Sequence, residues 1–84
     1  MTIWKYPLQI TDRQFVMLPE GARILTVQMQ GKQLCLWAMM NPDALPKRRE
    51  IQIIGTGHDV SDADGRYIAT VQMQALVWHI FERE

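Results

Sequence analysis

Apolar and polar side chains alternate along this chain with a period of two, which predicts strands rather than helices. From Ile3 to Ile10, Trp4, Tyr6, Leu8 and Ile10 share one face, while Lys5, Pro7 and Gln9 share the other. Pro7 cannot donate a ladder hydrogen bond, which assigns this strand to a sheet edge. Thr11-Asp12-Arg13 reads as a turn, Gln14 to Leu18 as a second short strand, and Pro19-Glu20-Gly21 as the next break. A strand from Ala22 to Gln30, a tight turn at Gly31-Lys32 and a return strand from Gln33 to Met40 make a hairpin. Asn41 to Lys47 holds Pro42 and Pro46 and reads as an irregular linker. Arg49 to Ile54 resumes as a strand, Gly55-Thr56-Gly57-His58 turns out of it, and Asp59 to Gly65 is a polar loop. Tyr67 to Gln74 and Leu76 to Glu82 form a second hairpin. No apolar stripe of period 3.6 exceeds two turns, so helix is confined to a short insertion near Pro42 to Leu45 at most.

The two hairpins are copies of one unit. Gly21-Ala22-Arg23-Ile24-Leu25-Thr26-Val27-Gln28-Met29-Gln30 aligns without a gap on Gly65-Arg66-Tyr67-Ile68-Ala69-Thr70-Val71-Gln72-Met73-Gln74, with seven of ten positions identical. Neither copy can bury its apolar face alone. The expectation is an all-β fold: a compact six- to seven-stranded antiparallel sandwich or small barrel with an internal hairpin repeat. The whole chain, 1–84, reads as a single domain, with pseudo-repeats at about 1–40 and 48–84 packed back to back. Within the repeat, Leu25, Val27 and Met29 are expected to point inward, as are Ala69, Val71 and Met73. Thr26, Gln28 and Gln30, with Thr70, Gln72 and Gln74, are expected to point outward. The last strand is apolar on both sides, with Leu76, Trp78 and Ile80 opposite Val77, His79 and Phe81. That predicts a central position, with the second face beneath the linker or against a homodimer partner.

Composition narrows the functional classes. A domain of 84 residues buries only about 60–65% of its unfolded surface, so the core is thin. Nine basic and nine acidic residues cancel. This argues against a generic nucleic-acid coat and favours self-association. A single cysteine, Cys35, rules out an internal disulfide and fits a reducing cytoplasm. The longest apolar runs, Leu34 to Met40 and Ala75 to Phe81, are seven residues each. A membrane-spanning helix needs about 20. No basic, apolar leader opens the chain, so the expectation is a soluble cytoplasmic protein.

Candidate chemistry is sparse. Gly55-Thr56-Gly57-His58 could expose backbone N–H groups, a hydroxyl and an imidazole to a phosphate or carboxylate, with Arg66 or Arg49 as the cationic partner. It lacks the third glycine and helix of a dinucleotide site and the Gly-Lys-Ser/Thr of a P-loop, so a structural turn is its plainer reading. His79 between Trp78 and Ile80 reads as an imidazole at the core's edge. Asp59, Asp62 and Asp64 lack the spacing of a calcium loop and read as a solvated turn. No serine or cysteine has a base beside it, so neither catalysis, a metal nor a cofactor is expected. Lys47-Arg48-Arg49 is the one basic run, complementary to the acidic loop within the molecule or across a dimer. The uncharged face of Thr26, Gln28, Gln30, Gln72 and Gln74 costs less to desolvate than ions would, which suits docking against another protein.

Trp4-Lys5-Tyr6, Ile10-Thr11-Asp12, Pro19-Glu20-Gly21-Ala22, Leu36-Trp37-Ala38, Gly55-Thr56-Gly57-His58 and Leu76-Val77-Trp78-His79-Ile80-Phe81-Glu82 resemble a family of small bacteriophage and prophage proteins. A Gly-Thr-Gly-His motif and a terminal Val-x-His-x-Phe-Glu strand mark that family. The resemblance implies a setting in the cytoplasm of an infected bacterium, where proteins of this size commonly bind host machinery and block defence. Two functions follow as expectations. In the first, a non-enzymatic accessory protein occludes a host defence component, in the manner of an anti-CRISPR inhibitor. Thr26, Gln28, Gln30, Gln72, Gln74, an exposed Trp37 and Lys47, Arg48 and Arg49 would form its contact surface. In the second, a nucleotide sponge uses Gly55, Thr56, Gly57, His58 and Arg66. No membrane contact and no sequence-specific nucleic-acid contact is expected in either.

Overall fold

Seven antiparallel strands and no helix make up the described residues of the computed structural model, 1–60 and 65–83. The strands are β1 (Thr2–Leu8), β2 (Arg13–Pro19), β3 (Arg23–Gln30), β4 (Gln33–Met40), β5 (Pro46–Gly55), β6 (Arg66–Met73) and β7 (Leu76–Arg83). They form a three-stranded sheet in the order β1-β4-β3 and a four-stranded sheet in the order β2-β5-β7-β6. The shortest extent of the backbone, 16 Å, suits two sheets stacked about 10 Å apart. The architecture is the expected sandwich.

Both halves repeat one wiring. β1 pairs with the return strand of the first hairpin, and β5 pairs with the return strand of the second. β2 is the one strand without a counterpart, and it extends the second sheet beyond β5. The repeat strands β3 and β6 are the inner edges of their sheets and lie beside each other without pairing. Their C-terminal ends meet in a cleft lined by Met29, Gly31, Lys32, Gln72, Met73 and Gln74.

The core follows the alternation. Leu8, Leu18, Val27, Leu34, Leu36, Ala38 and Met40 meet Ile51, Ile53, Ala69, Val71 and Ile80 between the sheets. Pro7 does sit on an edge strand. Leu25 departs from expectation: it is 40% exposed, whereas Ile24 is buried. A bulge between Ile24 and Thr26 shifts the register there and inverts the side chains ahead of it. The second copy carries its bulge one position earlier, between Tyr67 and Ala69. Along β1, burial deepens from Trp4, 47% exposed, to Leu8, and Ile10 falls outside the strand and is exposed. The linker is shorter than the prolines suggested, because β5 begins at Pro46. Pro46 is tolerated because it opens the strand.

β7 is central, between β5 and β6, as its two apolar faces required. Its outer side chains Val77, His79 and Phe81 remain partly exposed, bordered by Tyr67, whose ring meets Phe81 edge-on at 5.7 Å. The linker instead ties to β2's end, through the Glu20 N–H donating to the Leu45 carbonyl at 2.7 Å.

Candidate functional site

Alternation along β7 turns Trp78, Ile80 and Glu82 toward the core side, and so places one carboxylate at the end of an apolar stripe. Glu82 is 6% exposed. An acid there must be paired. Arg49 on β5 grips it through Nε and Nη2, the latter 3.0 Å from Oε1, and donates Nη1 to the Ala22 carbonyl at 2.8 Å. Arg66 at the start of β6 adds a third hydrogen bond, 3.0 Å to Oε1. This clamp joins β5, β6, β7 and the entrance to β3. The Arg49 hydrogen bonds, reinforced by the charges of Arg49 and Arg66, hold the Glu82 carboxyl below its usual 4.5 against the opposing effect of burial. Gly65 packs against the Glu82 carbonyl so closely that no side chain fits.

Around the clamp the sheet ends in a notch of about 460 Å³ lined by Lys47, Arg48, Arg49, Arg66, Glu82 and Arg83. Five cations border it, and two of them, Arg49 and Arg66, bond its one carboxylate. On the outer side of the same sheet the Arg48 guanidinium stacks 4.3 Å from the centre of the Phe15 ring. Phe15 and Met17 are each more than half exposed. Glu50, opposite Arg83 in the ladder, bonds Arg13 Nε at 2.7 Å. That bond, then the charges of Arg13, Arg83 and Arg48, lower its carboxyl below the usual value. A chain with no net charge thus gathers most of its cations at one end of one sheet.

The Gly55-Thr56-Gly57-His58 turn lies at the opposite end of that sheet. Gly55 is glycine for space, because a Cβ would stand 3.2 Å from the Trp78 ring and 3.4 Å from the His58 imidazole. Gly57 is glycine for its φ of +89°. The His58 N–H closes the turn onto the Gly55 carbonyl at 3.0 Å. Thr56 faces β7, with its hydroxyl 2.8 Å from His79 Nε2 and within reach of the Val77 carbonyl. His79 Nδ1 meets the Thr70 hydroxyl at 3.1 Å, and Thr70 meets the Tyr67 hydroxyl at 2.7 Å. The row runs unbroken from Tyr67 through Thr70 and both His79 nitrogens to Thr56, and the His79 tautomer sets which partner donates at each link. His79 therefore bridges strand and turn.

Three clefts converge on His58. One, of about 300 Å³, is lined by Asp12, Arg13, Gln52, Ile53, Ile54, His58, Asp59 and Arg83. A second is bounded by Thr11, Asp12, Gly55, His58 and Trp78, and a third by Gly55, Thr56, His58, Leu76 and Trp78. Among the described residues, two buried side-chain polar atoms lack a hydrogen-bond partner, Gln52 Oε1 and Trp78 Nε1. Both side chains line these clefts. Such an atom costs about 1–3 kcal/mol when left unmatched.

The sequence-derived groupings are redistributed. Arg66 stands at the Glu82 clamp, beside Arg49, and not beside Gly55, Thr56, Gly57 and His58. Lys47, Arg48 and Arg49 do come together with it, although Arg49 is spent on Glu82 and Ala22. Asp62 and Asp64, expected to face the basic run, lie outside the described residues. Trp37 is half-buried rather than exposed. The Gln28 amide donates to Thr26 at 3.1 Å, and Gln30 accepts from Lys5 at 2.6 Å. Gln72 and Gln74 border the cleft between the hairpin ends, and Gln74 holds a φ of +55°. Sequence reasoning missed Glu82, Glu50, Gln52, Asp12, Arg13 and Arg83. Glu82 alone carried a signal: an acid in register with Trp78 and Ile80 on a buried strand.

Among the described residues no group of histidine, cysteine, aspartate or glutamate side chains could hold a metal ion, and no helix is long and apolar enough to cross a membrane. A family model described as a domain of unknown function (DUF7352) matches residues 1–84. No curated protein and no solved structure matches the chain.

Proposed function

The chain belongs to the family described as a domain of unknown function (DUF7352), and we propose that it acts by contact, as a non-enzymatic phage-encoded accessory protein that binds and blocks a host protein. The proposed target is a component of bacterial defence, in the manner of an anti-CRISPR inhibitor. One observation carries the reading: the notch of Lys47, Arg48, Arg49, Arg66 and Arg83, with Phe15 and Met17 exposed beside Arg48. A cationic recess flanked by apolar and aromatic side chains suits an acidic, partly apolar protein surface. Charge steers the approach and the aromatic edge supplies desolvated area. Arg49 and Arg66 hold the notch in shape, while Lys47 and Arg48 provide its outward charge. Those two are the natural positions for partner specificity.

The test is capture of the tagged protein from phage-infected bacteria, followed by identification of what accompanies it. A host protein retained at low salt and released as ionic strength rises supports the proposal. Recovery of the chain alone overturns it.

A further inference from the structure

Gln52 is 94% buried, and its carbonyl oxygen Oε1 has no donor. It lines the cleft of about 300 Å³ that opens beside His58, a size at the lower end of small-ligand sites. The wall is fixed, because the Asp12 carbonyl accepts the Ile53 N–H at 3.1 Å and pins the β1–β2 turn to β5. Chemistry along the cleft is graded. Arg13, whose Nε bonds Glu50 and whose guanidinium also borders the cleft, and Arg83 bring positive charge, Asp12 and Asp59 bring carboxylates, Ile54 brings an apolar surface, and His58 contributes an exposed imidazole. A ligand complementary to all of these carries an anion at one end and, at the other, a flat body with an N–H donor for Gln52 Oε1 and Asp12.

We propose that this cleft binds a nucleoside phosphate, with the phosphate toward Arg13 and Arg83 and a base N–H toward Gln52 Oε1. Inorganic phosphate would engage the arginines and leave Gln52 unmatched, and an uncharged apolar molecule would match neither. Of the Gly-Thr-Gly-His turn only His58 takes part, because Thr56 is engaged by His79 and Val77. The site is distinct from the basic notch, although Arg83 borders both.

Calorimetric titration of the full chain with AMP, GMP, CMP and UMP, and with ribose 5-phosphate and inorganic phosphate as controls, tests the proposal. At least one nucleotide is expected to bind about tenfold more tightly than either control. Gln52→Met exchanges an amide whose oxygen is unmatched for an apolar chain of similar volume, so it should weaken that nucleotide about tenfold without lowering the melting temperature of the free protein. His58→Ala alters an exposed side chain and should also weaken binding, which keeps the proposal testable if Gln52→Met fails to fold. Absence of binding by all four nucleotides at millimolar concentration overturns the proposal. So does equal binding of inorganic phosphate, or unchanged nucleotide affinity in both variants. Capture of a host protein would survive Gln52→Met, so this site and the contact function fail separately.

Discussion

The first and second hairpins share a sequence unit and a wiring, yet they finish differently. Counted from the Met29–Leu34 and Met73–Leu76 pairs, Leu36, Ala38 and Met40 of β4 correspond to Trp78, Ile80 and Glu82 of β7. Met40 is wholly buried and closes its end of the core with a thioether. Glu82, at the matched position, closes the other end with a carboxylate held by Arg49 and Arg66. The first copy is thus a scaffold, and the second is a scaffold that also fixes a cluster of charge. The two copies share a frame, and in the second a carboxylate at the matched position anchors Arg49 and Arg66 of the cationic notch.

The largest effect should come from breaking that exchange. Glu82→Gln leaves Arg49 without its carboxylate in a confined site and should cost about 3–5 kcal/mol in urea denaturation. Replacing Arg49 and Glu82 together with methionine, which restores the chemistry of the first copy, should recover most of the loss. Additive losses, with no recovery in the double variant, would contradict the clamp. The bulge comes next. Ile24→Ala should destabilise by about 2–4 kcal/mol and Leu25→Ala by under about 0.5 kcal/mol, whereas a regular strand would reverse their order.

Acid stability follows from the same carboxylates. Both Glu82 and Glu50 have folded-state pKa values below the ordinary 4.5, so the native protein binds fewer protons than the unfolded chain as pH falls. Their contribution is complete above about pH 4.5 and is lost as the pH drops through the folded-state values. Thermal melts from pH 6 to pH 2 should show this decline, flattened in Glu82→Gln. The smallest effect concerns the turns. Gly31 has a φ of +60° at the first hairpin, whereas Gln74 holds +55° at the second. Gln74→Gly should relieve left-handed strain for a net gain of about 0.5 kcal/mol, read as a slight rise in melting temperature.

Much of the fold was legible because period-two alternation, proline and glycine act locally. Pro7 marked the edge, the two-sided apolarity of β7 marked the centre, and the decapeptide repeat marked the pair of hairpins. The bulges were hidden, since one inserted position between Ile24 and Thr26 leaves no compositional trace and shifts Leu25 outward. The site was less legible. Lys47, Arg48, Arg49 and Arg66 were visible as cations, but their gathering depends on β5 pairing with β7, a long-range event. Gln52 was invisible for another reason: a glutamine on a strand signals solvent until its neighbours bury it.

The decisive measurement compares charge reversal on the two copies. Lys47→Glu/Arg48→Glu alters the notch, Arg23→Glu/Lys32→Glu alters the first hairpin by the same charge, and all four positions are exposed. Capture from infected bacteria should lose the host protein with the first variant and retain it with the second, at unchanged melting temperatures. Equal retention by both variants would contradict the assignment of contact to the notch.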